Sequence, residues 1–293
     1  MDHILSHLQG QAFTLCPEAI DFLSSRRDDL INLPIKPLKI PGFSPNTIKK
    51  LISLHRNQLE SNEYINSRIS NPTSGTIDHI HAEITAYNGV ELGLKKGLSG
   101  YSLELLRVAG HLHDSERSYP RQMAMGEGKT RNNPEAYIEF KKIHTQNSVR
   151  TVSRLLDEIT LDGCIFPDGF KNDLTYLILR HELGGEKKAN QNIFKPSEVE
   201  PDLNLNDLND ILTYADSFAY MDANILTNWE ESNRSVQALS GKVHYMFDRM
   251  TPEGQDIIRQ KIINSEIHIL GKNCPENNDL IAIRSILLDV CGS

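Results

Sequence analysis

One apolar helical segment of the sequence ends in two polar side chains, and this pattern limits the folds that are open to the chain. Residues 103–121 read LELLRVAGHLHDSERSYPR, and the apolar part of this segment ends at His113 and Asp114. Burying an imidazole and a carboxylate side by side is costly unless another group satisfies them. Both side chains are good ligands for a divalent first-row metal ion. The segment therefore predicts a buried metal site whose remaining ligands come from other parts of the chain.

The composition indicates a globular chain without a broad nucleic-acid-binding surface. Its 293 residues allow one large domain or two small ones, and 39% of them are hydrophobic, which is enough for a sizeable core. The formal net charge of -8 argues against general nucleic-acid binding. The four cysteines form no CxxC pair, which argues against a disulfide framework and is typical of a reducing compartment.

Nothing in the sequence predicts a membrane segment or a secretory signal. No apolar run approaches the roughly 20 residues that are needed to span a bilayer. The N-terminus, MDHILSHLQGQ, is too polar and too poor in basic residues for a secretory signal. We therefore expect a cytoplasmic protein that does not associate with membranes. The sequence does not define its oligomeric state.

Helical periodicity runs through most of the chain, whereas no long alternating strand pattern is present, so we predict an all-α fold. Early in the chain we predict a helix at 17–27, an extended proline-containing connector at 32–46, a helix at 47–67 and a turn at 71–76. Further helices are predicted at 77–94, 101–113, 134–159, 171–183, 207–222, 233–250, 252–265 and 277–290, with a polar loop at 186–206. We expect residues 1–70 to form an N-terminal helical extension and residues 71–293 to form a metal-binding domain with C-terminal helices.

Further metal-capable side chains lie on separate predicted helices, each among apolar residues. His144 follows Ile143, and His181 ends an apolar run. Asp216 lies within DILTYADSFAYMD, and both His79 and His81 lie on an earlier helix. A buried aspartate in such a run needs a cation or several hydrogen-bond donors. Taken singly, each residue also has an ordinary interpretation, such as a hydrogen-bonded core histidine or an aspartate paired with an arginine.

This order of residues resembles the HD superfamily of metal-dependent phosphohydrolases, in which a His, a His-Asp pair, further His residues and a distal Asp lie on a helical bundle. The resemblance covers roughly residues 77–222. It implies an HD-domain bundle with N- and C-terminal helical extensions and a site for two divalent ions, which Asp114 would bridge. Mn, Fe, Co, Ni and Zn all suit these donors. Small or apolar residues after the family's first His favour His81 over His79. The implied ligands are His81, His113, Asp114, His144, His181 and Asp216.

The resemblance implies hydrolysis of a phosphomonoester or phosphodiester, with a nucleotide or a similar small molecule as substrate. A metal ion lowers the pKa of bound water from about 16 toward about 7, which makes a nucleophile available at neutral pH. Arg117 lies three residues after Asp114, where many HD hydrolases carry a lysine, and we expect it to stabilise charge on the phosphate. The residues expected to contact substrate are Arg117, Arg121, Lys129, Arg131, Lys242 and Arg249. The last two share one helix face and could instead be solvated.

Two alternative functions remain open. HD-superfamily oxygenases similar to myo-inositol oxygenase hold a mixed-valent di-iron pair with the same four-His, two-Asp set, so the ligands alone do not separate a hydrolase from an oxygenase. The basic loop at residues 117–131 favours a phosphate-bearing substrate. A non-catalytic, ligand-sensing HD module is the other alternative, and the complete ligand set argues against it. No GYP-like tripeptide follows His181, which argues against the cyclic-di-GMP subgroup called HD-GYP.

Overall fold

The computed structural model describes residues 44–59, 61, 74–116, 134–182, 193–221, 225, 235–265, 268, 272–273 and 275–291. Within these ranges the chain forms nine α-helices and no strand, which confirms the predicted all-α class. The helices are α1 Pro45–Leu59, α2 Ser74–Lys95, α3 Tyr101–Leu112, α4 Pro134–Leu161, α5 Phe170–Arg180, α6 Leu205–Ala219, α7 Val236–Asp248, α8 Pro252–Lys261 and α9 Asn278–Cys291. A short 3-10 helix, Ile262–Asn264, follows α8. The helix predicted at 17–27 lies outside the described residues, as does most of the connector at 32–46.

Most predicted helices are present, and most of their ends differ from the prediction by a few residues. The helix predicted at 47–67 ends at Leu59. The turn predicted at 71–76 is wrong for residues 74–76, which already belong to α2. Helix α5 ends at Arg180 and not at residue 183, so His181 is its C-cap residue. In the described part of the predicted polar loop, an isolated antiparallel bridge joins Pro196 to Asn204 before α6 begins.

The chain divides into two compact units, and the division falls between Leu212 and Thr213. Helices α1 to α5 belong to the first unit, which lies within residues 35–212. Helices α7 to α9 belong to the second unit, whose described part lies within residues 213–293. The boundary predicted near residue 70 stays a prediction.

Helix α3 is the central apolar element of the first unit and packs against α1, α2 and α5. Apolar residues three and four positions apart give it a continuous buried face. Its closest neighbour is α2, because a Cβ atom placed on Gly110 would lie only 2.5 Å from the Cα atom of Ala86. Gly110 precedes His113 by three residues, and Ala86 follows His81 by five, so this contact brings the two histidines toward each other.

Glycine ends α2 and thereby sets the start of α3. Gly97 has a φ of 78°, a left-handed conformation that favours glycine. The amide of Leu98 donates to the carbonyl of Gly93 at 2.9 Å, and the amide of Gly97 donates to that of Leu94 at 3.0 Å. This bonding pattern satisfies the last carbonyls of a helix and reverses the chain direction. Helix α3 then begins at Tyr101, four residues after Gly97.

A buried carboxylate on α5 holds two other segments of the first unit, the start of α3 and residues 197–198. Asp173 is 1% exposed. It accepts hydrogen bonds from the hydroxyl of Tyr101 at 2.9 Å, from the hydroxyl of Ser197, and from the amide of Glu198 at 2.9 Å. Burial and the neighbouring Asp173 carboxylate raise the pKa of Tyr101, which therefore stays protonated and donates.

Local capping starts the helices of the second unit. The hydroxyl of Ser235 accepts from the amide of Ala238 at the start of α7, and the hydroxyl of Thr251 accepts from the amide of Gly254 at the start of α8. Both are favoured N-cap residues. Helix α7 packs against α9. Among the helices in the described ranges, none is both long and apolar enough to cross a bilayer.

Candidate metal centre

Five of the six predicted ligands lie in the first unit, where four imidazoles surround one carboxylate. His81 lies on α2, His113 is the C-cap residue of α3, and Asp114 follows it directly. His144 lies on α4, and His181 is the C-cap residue of α5. All five residues are buried, with exposed fractions between 0% and 6%. These five residues lie together, as the sequence predicts, although they span 101 positions of the chain, from 81 to 181.

The two carboxylate oxygens of Asp114 face different pairs of imidazoles. The Nε2 atoms of His81 and His113 lie 3.6 and 3.3 Å from Oδ2 and 3.2 Å from each other. The Nε2 atoms of His144 and His181 lie 2.7 and 3.5 Å from Oδ1. Within each group of three residues, the donor atoms lie within 4.8 Å of one another. One oxygen of the Asp114 carboxylate is therefore directed at each of the two groups that could hold a metal ion.

Backbone carbonyls orient three of the four rings. In each case a ring Nδ1 atom lies 2.7 to 2.8 Å from a carbonyl oxygen, and the pairs are His113 with Gly110, His144 with Glu116 and His181 with Ile178. Because a carbonyl only accepts, each Nδ1 carries the hydrogen, and a neutral ring then directs its Nε2 lone pair at Asp114. Histidines that bind metal ions usually donate their second nitrogen in this way.

The donor set fits a divalent cation. Lone pairs of neutral imidazoles and of a carboxylate face one another in a buried site, and this arrangement is repulsive unless protons or cations lie among them. Burial lowers the pKa of His181, which favours its neutral, ligating form. The distances of 3.2, 3.3 and 3.6 Å among His81, His113 and Asp114 are close to the edge of about 3.3–3.4 Å in a tetrahedron around an ion with bonds of about 2.0–2.1 Å.

Sequence reasoning missed a residue of α1 that supports the backbone beside Asp114. The hydroxyl of Ser115 donates to the carbonyl of Leu112 at 2.6 Å. The contact of 3.0 Å between this hydroxyl oxygen and Nε2 of His55 therefore has the imidazole as donor. His55 is 3% exposed and lies 60 residues before Ser115, so no local pattern links the two.

The sixth predicted ligand, Asp216, lies on α6 in the second unit and is buried there. It accepts a hydrogen bond from Nη2 of Arg249, whose Nε donates to the hydroxyl of Ser217 at 2.8 Å. Arg249 is 5% exposed, so the alternative that it is solvated is wrong.

The Nζ atom of Lys242 lies 5.3 Å from the ring centroids of Tyr220 and Tyr245, a cation–π distance. The ligand role of Asp216 and the substrate contacts of both cations stay predictions.

Several predicted site residues fall outside the part of the chain that the structure describes. They are the basic residues that lie between α3 and α4 in the sequence, namely Arg117, Arg121, Lys129 and Arg131. The side chain of His79 also lies outside it.

No family model, curated protein or solved structure matches this chain. The residues that the structure describes form an all-helical protein in which two overlapping buried His/Asp groups could hold metal ions.

Proposed function

We propose that this chain is a metal-dependent phosphohydrolase with a two-ion centre of the HD type. Its substrate would be a phosphomonoester or phosphodiester of a nucleotide or a similar small molecule. The observation that supports this proposal most directly is the division of the Asp114 carboxylate between two pairs of imidazoles. Asp216 is the expected sixth ligand, on the resemblance to HD proteins and on its burial.

The chemistry follows from the donors and their surroundings. Bound divalent ions would supply Lewis-acid chemistry, because they lower the pKa of a water molecule toward about 7 and polarise a phosphoryl oxygen. The chain contributes preorganisation, since three rings are already fixed by backbone carbonyls. Burial strengthens the electrostatic interactions of Asp114 with any charge in the centre. Arg117 would stabilise charge on the phosphoryl oxygens with paired hydrogen bonds.

Metal analysis and a substrate screen test the proposal. Freshly purified protein should contain close to two equivalents of a divalent transition metal. With added manganese or cobalt it should release phosphate from members of a panel of nucleotides and phosphodiesters. Asp114→Asn should lose both metal and turnover while its far-ultraviolet circular dichroism stays unchanged. Asp157→Asn is the matched control, because Asp157 is 68% exposed and pairs only with an exposed lysine among the contacts described.

Three results would contradict the proposal. Asp114→Asn could retain turnover, which would remove Asp114 from the chemistry. Iron together with substrate-dependent consumption of dioxygen would assign the chain to the di-iron oxygenases instead. Metal-free protein that is stabilised against unfolding by a nucleotide, and that shows no turnover, would indicate a ligand-sensing module.

A further inference from the structure

A largely buried ion pair joins the two helices that supply the second pair of imidazoles. The Nζ atom of Lys141 lies 2.5 Å from Oε2 of Glu182, and the two side chains are 7% and 13% exposed. Lys141 precedes His144 by three residues on α4, so the two share a helix face. Glu182 directly follows His181 at the end of α5. The pair therefore links the backbone segments that carry both imidazoles facing Oδ1 of Asp114.

The first pair of imidazoles is positioned by a different kind of contact. Helices α2 and α3 approach each other at Gly110 and Ala86, where there is no room for another side-chain atom. This contact is apolar and does not depend on charge. The two halves of the centre are therefore held by interactions that mutation can change separately.

Stability alone is a weak explanation for burying Lys141 and Glu182. Moving two charges out of water is unfavourable, and well-packed apolar side chains in place of a buried ion pair are often neutral or stabilising. A charge-assisted hydrogen bond does provide what apolar packing lacks, which is a fixed direction and a fixed length. That property matters here because His144 and His181 must both reach a single carboxylate oxygen.

We propose that Lys141 and Glu182 are positioning residues for the metal position formed by Asp114, His144 and His181. Substituting either residue should weaken metal binding at this position, while the position formed by His81, His113 and Asp114 keeps its ion. The inference rests on the proposed function, because it assumes that both groups of donors hold a metal ion.

Calorimetric titration of the metal-free full chain with Mn²⁺ and Co²⁺ tests the inference. Wild-type protein should bind two ions. Lys141→Met and Glu182→Gln should each bind one ion with wild-type affinity and the second about 10- to 100-fold more weakly, the range measured when groups that orient metal ligands are removed. Lys142→Met is the matched control, because Lys142 is the exposed neighbour of Lys141 and should bind both ions as wild type does. Absorption spectra of the Co²⁺ protein give a second readout of each position.

Two double variants separate positioning by charge from ordinary packing. Lys141→Met with Glu182→Leu should fold with at least near wild-type stability yet still bind the second ion weakly. Lys141→Glu with Glu182→Lys should recover part of the lost affinity. The inference is overturned if Lys141→Met binds both ions as wild type does, if it weakens both ions equally, or if the apolar double variant restores the second ion. Wild-type protein that binds no metal at all would refute the proposed function instead.

Discussion

The contact between Gly110 and Ala86 makes the substitution Gly110→Ala a quantitative test of the packing in the first unit. The added Cβ atom would lie 2.5 Å from the Cα atom, 2.7 Å from the backbone nitrogen and 3.1 Å from the Cβ atom of Ala86. Carbon atoms that do not share a bond prefer separations of about 3.5–4.0 Å. The shortfall of about 1 Å or more is against helix backbone, which cannot move away by rotating a side chain.

The expected magnitude combines two opposing effects. Overpacking in a filled core costs about 1–3 kcal/mol, and a clash with backbone belongs at the upper end, near about 3 kcal/mol. Replacing glycine by alanine in a helix interior returns about 1 kcal/mol of helix propensity. The net loss in the free energy of unfolding should therefore be about 2 kcal/mol, which lowers the ratio of folded to unfolded protein about thirtyfold.

Gly241→Ala is the matched control because it changes the same residue type in another helix. Gly241 is exposed on α7, and an added Cβ atom there would meet nothing within 4 Å. Its free energy of unfolding should rise by about 0.5–1 kcal/mol, since only the helix propensity changes. Urea unfolding followed by circular dichroism measures both variants, and a shifted midpoint at constant slope reports stability alone. A Gly110→Ala protein as stable as wild type would show that α2 and α3 do not pack as closely as described.

Two further outcomes concern buried polar groups of the first unit. Burial lowers the pKa of His181 from its ordinary 6.5, so the stability that this group contributes to the metal-free protein is complete above about pH 6.5 and is lost as the pH falls. Urea midpoints between pH 8 and pH 5 should therefore fall more steeply in wild type than in His181→Gln, and equal slopes would show that this ring does not titrate as described. Asp173→Ala should lose about 3 kcal/mol or more, because two buried hydroxyls and one part-buried amide lose their acceptor. Asp157→Ala, at an exposed site, should be close to wild type by the same measurement, and a similar loss in both would contradict the assigned role of Asp173.

The fold class and the residue types of the centre could be predicted from the sequence because both depend on local patterns. Helix α3 carries apolar residues at helical spacing that ends at His113, and the structure buries that face. A histidine or aspartate within such a face needs a hydrogen-bond partner or a cation. Its presence therefore indicates a buried polar cluster before any geometry is known. The prediction that His81, His113, Asp114, His144 and His181 lie together follows from this reasoning and from the resemblance.

The remaining features depend on contacts between distant parts of the chain. Lys141 and Glu182 are 41 residues apart, and each alone is typical of an exposed helix surface. Arg249 has the helical spacing of a solvated cation, yet it is buried against Asp216, 33 residues earlier. Helix α5 ends earlier than the sequence predicts, and at its end the ring of His181 bonds to the carbonyl of Ile178. Periodicity does not contain such information, since it records only which residues are apolar.

His113 and His181 occupy equivalent places, and this repetition makes helix length a determinant of the centre. Each ring follows the last residue of its helix and bonds to the carbonyl three positions earlier. Each residue of an α-helix adds about 100° of rotation and about 1.5 Å of rise. One residue inserted into α3 or α5 would therefore swing an imidazole to another side of the bundle, however conservative the inserted side chain. The number of residues between Tyr101 and His113 is therefore under a tighter structural constraint than the identity of any residue on the protein surface.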